Sequence, residues 1–144
     1  MKEKKQSANW YIAATHYLTA GFAIPFVIGL IVGIPVFLIL GKDEILLSNA
    51  VNLISAPIIV WLGVMYSAKY INKTYLIKDS QKIINLATIY LVIIAGGLNM
   101  RSAIMDNFDV VSILGIVRVV AMAIVFYITS KKYIKNTDEL VVTQ

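Results

Sequence analysis

The sequence predicts an all-α integral membrane protein: a four-transmembrane-helix antiparallel bundle with both termini cytoplasmic. Three observations predict it. First, 59% of the 144 residues are hydrophobic and only 15% are charged, with a mean hydropathy of +0.79. A water-soluble domain carries about 45–50% apolar and about 25% charged residues. Second, the apolar residues gather in four continuous runs, each within or above the range of about 17–25 residues that crosses a hydrocarbon core. Third, Lys and Arg crowd alternate segments between those runs. The length fits one membrane domain spanning 1–144.

The first run covers 10–40, strictly apolar from Phe22 to Leu40. Its basic start, Met1-Lys-Glu-Lys-Lys5, resembles the n-region of a signal peptide. The apolar stretch is far longer than an h-region of about 7–15 residues, and no small-x-small cleavage site interrupts it. A retained helix is therefore expected, without lipidation motifs. Gly21, Pro25, Gly29 and Gly33 recur at four-residue spacing, and Gly29-Leu-Ile-Val-Gly33 forms a GxxxG motif. Small residues in such a stripe let helices approach closely. Either another span of the chain or a second copy would fit that face.

The second run covers 45–68, the third 83–100 and the fourth 110–130. None shows the period-two alternation of a membrane strand. Runs rich in Ile, Val and Leu read as helices, because a helix satisfies its own backbone in lipid. Pro25, Pro35 and Pro57 are tolerated there and predict kinks. Between the second and third runs, the basic loop 69–82 mixes Lys with Tyr and Ile and is expected to anchor on the membrane surface. Asp79-Ser80 suits an N-cap for the third helix. A cytoplasmic tail occupies 131–144.

The charges set the orientation. The N-terminus, the middle loop and the tail hold ten Lys, whereas the other two loops hold only Lys42 and Arg101. A short-loop Lys/Arg bias of this kind places the rich side in the cytoplasm. Trp10, Tyr11, Tyr17, Tyr66, Tyr70, Tyr75, Tyr127 and Tyr133 cluster at the same edge, where amphipathic rings favour the interface. The net charge of +5 is thus a topology signal with an attraction to anionic lipid, and nucleic-acid binding loses its motivation.

One base escapes this pattern. Arg118 is the ninth residue of the fourth run, about 12 Å from its outer end. A central Arg costs about 2.5–3.5 kcal/mol on insertion scales and faces protein or water. Gly115 and Ala121 share its helix face and would admit a close neighbour. Counting inward, Asn52 and Ser55 fall at the same depth and Tyr90 slightly deeper, which defines a mid-membrane polar layer. Their oxygens are acceptors for a guanidinium. The layer reads as a structural tie, as an anion- or substrate-binding site, or as an intersubunit contact. Asp106 and Asp109 make the outer mouth acidic, as solvated loop charges or as a cation attractor.

Chemistry beyond this is sparse. There is no Cys and a single His, His16, so thiolate catalysis and multi-His metal sites are excluded. No phosphate-binding glycine loop, HExxH or GxSxG pattern occurs. Arg118 cannot serve as a general base at neutral pH. No enzyme activity, cofactor or metal is expected. The segments Pro35-Val-Phe-Leu-Ile-Leu-Gly-Lys-Asp43 and Ala50-Val-Asn-Leu-Ile-Ser55 resemble an uncharacterised bacterial family distantly related to a chloroplast import component. That resemblance is confined to the first two spans and implies no role here.

The expected function is that of a small non-enzymatic cell-membrane protein acting through helix contacts, as an accessory or assembly subunit or a homo-oligomer. The alternative is a small oligomeric channel or transporter lined by Arg118 and Asn52. Its partners are the lipid bilayer and either a second copy or a larger membrane protein.

Overall fold

The computed structural model describes residues 10–40 and 45–137, and their regular structure is helical. Helix α1 is Trp10–Leu40 and α2 is Ile45–Thr74. Helix α3, Ser80–Leu91, passes through a π-helical turn, Val92–Gly96, into α4, Gly97–Met105. Helix α5 is Val110–Tyr133. Three rods are long and apolar enough to cross a membrane: Leu47–Thr74, Ser80–Met105 and Val110–Tyr133. Helix α1 runs unbroken through Pro25 and Pro35, and α2 through Pro57.

The helices outlast the apolar runs. Helix α2 continues past the expected end at 68 to Thr74, and α3 starts at Ser80 rather than at 83. The basic loop expected over 69–82 is therefore mostly helix, and its irregular part is short, from Tyr75 to Asp79. The cause is periodicity. Val64, Ala68, Ile71 and Tyr75 are buried at three- and four-residue spacing, so one face stays in the core after Lys69 and Lys73 appear on the other. Lys73 in the last turn also suits the negative end of the helix dipole. Asp79 caps α3 as expected, accepting from the Lys82 N–H at 3.1 Å.

Helix α2 packs against α1 and α5, α3 packs against α1 and α5, and α4 packs against α5. The start of α1, the end of α2, the start of α3 and the end of α5 all meet at one lysine-rich end. There the Nδ1 of His16 meets the Tyr75 hydroxyl, and the Asn72 amide donates to the Tyr133 carbonyl at 2.7 Å. Beyond α5 the chain turns back onto the α2–α3 connection. Ile77 and Thr137 exchange hydrogen bonds at 2.8 Å, and the Ser80 N–H donates to Asn136 at 2.8 Å.

The core sits at this same end. Tyr17, Val64, Ile71, Ile83, Ile84 and Phe126 are fully buried in one cluster. The Tyr17 and Phe126 rings lie 5.5 Å apart at 45°. Toward the opposite, aspartate-bearing end, burial falls to Ala103, Ser112, Gly115 and Val119, while Leu98, Ile104, Met105 and Val110 are exposed. A short turn there joins α4 to α5, with Asn107 and Phe108 at φ of 50° and 54°. The Phe108 N–H closes it on the Ala103 carbonyl at 2.7 Å.

Candidate functional site

Arg118 projects from the middle of α5, on the flank of the buried stripe formed by Ser112, Gly115, Val119 and Phe126. It is half-buried. Among the described residues, its guanidinium makes no hydrogen bond and no ion pair. Asp109 lies two and a half turns back and is engaged elsewhere: its carboxylate caps α5, accepting from the Ser112 N–H at 2.8 Å. Ser112, through its hydroxyl and then its N–H, holds that carboxyl below the usual range.

The other members of the expected polar layer lie on α2 and α3 and are not joined to Arg118 by hydrogen bonds among the described residues. Asn52 and Ser55 are half-buried on α2, the helix beside α5. Tyr90 sits on the outward side of α3, 39% exposed, between the exposed Ile89 and Ile93. Among the described residues, no hydrogen bond links any of the four. Among the described residues, a guanidinium and three polar side chains therefore stand without a hydrogen-bond partner.

A polar pairing that the sequence reading missed lies one turn from Arg118. The Asn99 amide donates to the Ala95 carbonyl at 2.8 Å, within the π-helical turn. There the wider ring of the π-turn disturbs the usual carbonyl pairing. The Asn99 Oδ1 presses on α5 at Gly115, where an added Cβ would lie 2.6 Å from it. Gly96 in turn faces Val119, with an added Cβ 4.0 Å from the valine methyl. The π-turn and Gly115 thus let α4 approach α5 beside Arg118. The available signal was Ala95-Gly-Gly97 interrupting an apolar run two residues before Asn99. Ala121 is half-buried on the far side of Arg118. The packing of Gly21, Gly29 and Gly33 lies outside the described residues, although the α1 backbone is helical there.

At the aspartate end, Asp106 accepts from the Ser102 hydroxyl at 3.0 Å and from the Ser112 hydroxyl at 3.5 Å. Both Asp106 and Asp109 are thus committed to the turn and the α5 cap. Among the described residues, no group of three or more His, Asp or Glu is placed to hold a metal.

No family model, curated protein or solved structure matches the chain. The resemblance of the first two spans therefore carries no argument, and function rests on this geometry alone.

Proposed function

We propose that this is a small non-enzymatic multi-pass protein of the cell membrane that acts through helix–helix contacts, as an accessory or assembly subunit or a homo-oligomer. In this reading all four long helices span, as an antiparallel bundle with both termini cytoplasmic, and the lysine-rich end is the inner face. One observation carries the reading: Arg118 lies mid-span without a partner among the described residues. An intramembrane guanidinium costs about 2.5–3.5 kcal/mol, and such groups are found paired or facing water. A carboxylate or carbonyl on a neighbouring helix from another chain offsets that cost and gives the contact a direction. The neighbours of Arg118 on α5, Val117 and Val120, are exposed, as is Ile104 on α4.

The test is the assembly state in mild detergent and in native membranes. Arg118→Leu is expected to reduce the complex to a lone chain, while the helix content stays unchanged. Unchanged assembly would remove Arg118 from the contact.

A second reading, a small oligomeric channel or transporter, is favoured by the half-buried Asn52 and Ser55, which also lack hydrogen-bond partners among the described residues. Polar groups left open on a helix packed against the one that carries Arg118 suit an anion. Reconstituted liposomes challenged with an anion panel decide it: no flux above empty liposomes rejects the pathway.

A further inference from the structure

A second feature lies nearer the lysine-rich end, on the side of the molecule formed by α2 and α5. The two helices leave a cleft of about 400 Å³ between them. Pro57, Ile58 and Trp61 form its α2 wall, and Val125 and Ile128 its α5 wall. Ile58, Trp61 and Ile128 are 54%, 42% and 60% exposed, so the cleft opens sideways from the rods and not toward the core. On helices apolar enough to span, a lateral opening faces hydrocarbon. The volume lies within the range of about 300–1,000 Å³ typical of small-molecule sites.

Two polar groups at one end make the cleft more than a lipid-facing crease. Lys132 lines it there. Its ammonium lies 5.5 Å from the centre of the Tyr133 ring and forms no ion pair among the described residues. Thr129 lines the cleft one turn deeper on the same helix face. It is only 5% exposed, yet its hydroxyl has no hydrogen-bond partner among the described residues. No side-chain polar atom among those residues is both fully enclosed and unpartnered, so the Thr129 hydroxyl keeps some accessible surface, and Thr129 is one of the residues that line the cleft. A nearly buried hydroxyl with no bond calls for an acceptor.

We propose that the α2–α5 cleft binds one anionic phospholipid. An acyl chain lies between Pro57, Trp61 and Ile128, the phosphate meets Lys132, and a glycerol ester carbonyl accepts from Thr129. The spacing fits. Thr129 sits about 4.5 Å deeper than Lys132 along the helix axis, as ester carbonyls sit deeper than phosphates in a bilayer leaflet. The charge fits as well: Lys132 lines the cleft, Lys131 and Lys135 lie within three residues of it in sequence, and no carboxylate lies among the cleft's lining residues. A second protein helix is the poorer occupant, because the walls are bulky rather than small. A zwitterionic lipid leaves the Lys132 charge without a net partner.

Trp61 reports the occupant directly. Trp10 is the only other tryptophan, so Trp10→Phe leaves Trp61 as the sole indole. The full chain with this change is reconstituted in phosphatidylcholine vesicles holding a small fraction of brominated-chain phosphatidylglycerol or, separately, of brominated-chain phosphatidylcholine. Brominated phosphatidylglycerol is expected to quench Trp61 with about five-fold higher apparent affinity, as one well-placed base provides. Lys132→Gln removes that preference and leaves quenching by brominated phosphatidylcholine intact, which shows that the fold persists. Thr129→Val weakens binding of both lipids. Equal quenching by the two lipids in the unmodified cleft, or a preference that survives Lys132→Gln, overturns the proposal. So does protection of Trp61 from both lipids, which would mean that protein covers the cleft.

Discussion

The Asn99 Oδ1 occupies the space where a side chain on Gly115 would begin, 2.6 Å from the position of an added Cβ. The asparagine cannot simply swing away, because its amide holds the Ala95 carbonyl at 2.8 Å. Gly115→Ala therefore forces a choice between overlap and loss of that hydrogen bond. The expected cost is about 1 kcal/mol, one hydrogen bond's net worth. In a double-mutant cycle, Gly115→Ala adds little once Asn99→Ala has removed the obstacle. Unfolding in mixed micelles measures both, and additive costs would show that the two residues are not coupled.

The Tyr17 and Ser130 hydroxyls meet at 2.6 Å in the core. The Ser130 proton is already directed at the Phe126 carbonyl at 2.5 Å, so Tyr17 is the donor in the pair. This direction predicts unequal effects. Tyr17→Phe loses one hydrogen bond and costs about 1 kcal/mol. Ser130→Ala strands the buried Tyr17 hydroxyl and costs more, about 1–3 kcal/mol. Equal or reversed costs in the same unfolding assay would contradict the assigned direction.

Acid should loosen two helix starts before the core responds. The Asp79 carboxyl is held low, first by the Lys82 N–H, and that of Asp109 by the Ser112 hydroxyl and N–H. For a carboxyl whose folded pKa is depressed, the stabilisation is fully present above its ordinary value. It disappears as pH falls through the lowered folded value. Amide exchange at Lys82 and Ser112 is expected to accelerate below about pH 4, the ordinary range of these groups. Asp109→Asn keeps a capping oxygen without a titrating proton, so Ser112 exchange there loses its extra acid acceleration.

Phe108 holds a φ of 54°, a left-handed conformation that costs a bulky residue about 1–2 kcal/mol. Its side chain is 51% exposed, so the ring contributes little packing within the chain. Phe108→Gly is expected to raise the unfolding midpoint in detergent. A lower midpoint would mean that the ring is an anchor whose loss outweighs the relieved strain.

The long helices were legible because apolar length is a strong signal in lipid, and Trp10–Leu40 and the start of α5 at Val110 stand where the sequence puts them. The lysine-rich ends were not, because the apolar run stops at Lys69 while the buried stripe continues through Ile71 and Tyr75. Hydropathy ends with the hydrocarbon, whereas helical periodicity ends with the packing. At the candidate site, the place of Arg118 in the middle of its helix, and of Asn52 and Ser55 on the second one, followed from counting residues. That they share no hydrogen bond did not, since depth carries no information about helix rotation. Asn99 was passed over because a neutral amide between Leu98 and Met100 hardly alters an apolar run. Only the π-turn beside it reveals its use.

Docking through Arg118 is tested most directly by cross-linking within the membrane. The chain has no cysteine, so Val117→Cys places a unique attachment point beside Arg118 at a residue 47% exposed. A photoactivatable maleimide on that thiol, in native membranes at ordinary expression, is expected to yield one cross-linked species of defined mass that vanishes in the Val117→Cys, Arg118→Leu chain. A lone uncross-linked chain in both, or a cross-link that persists without the arginine, would contradict it.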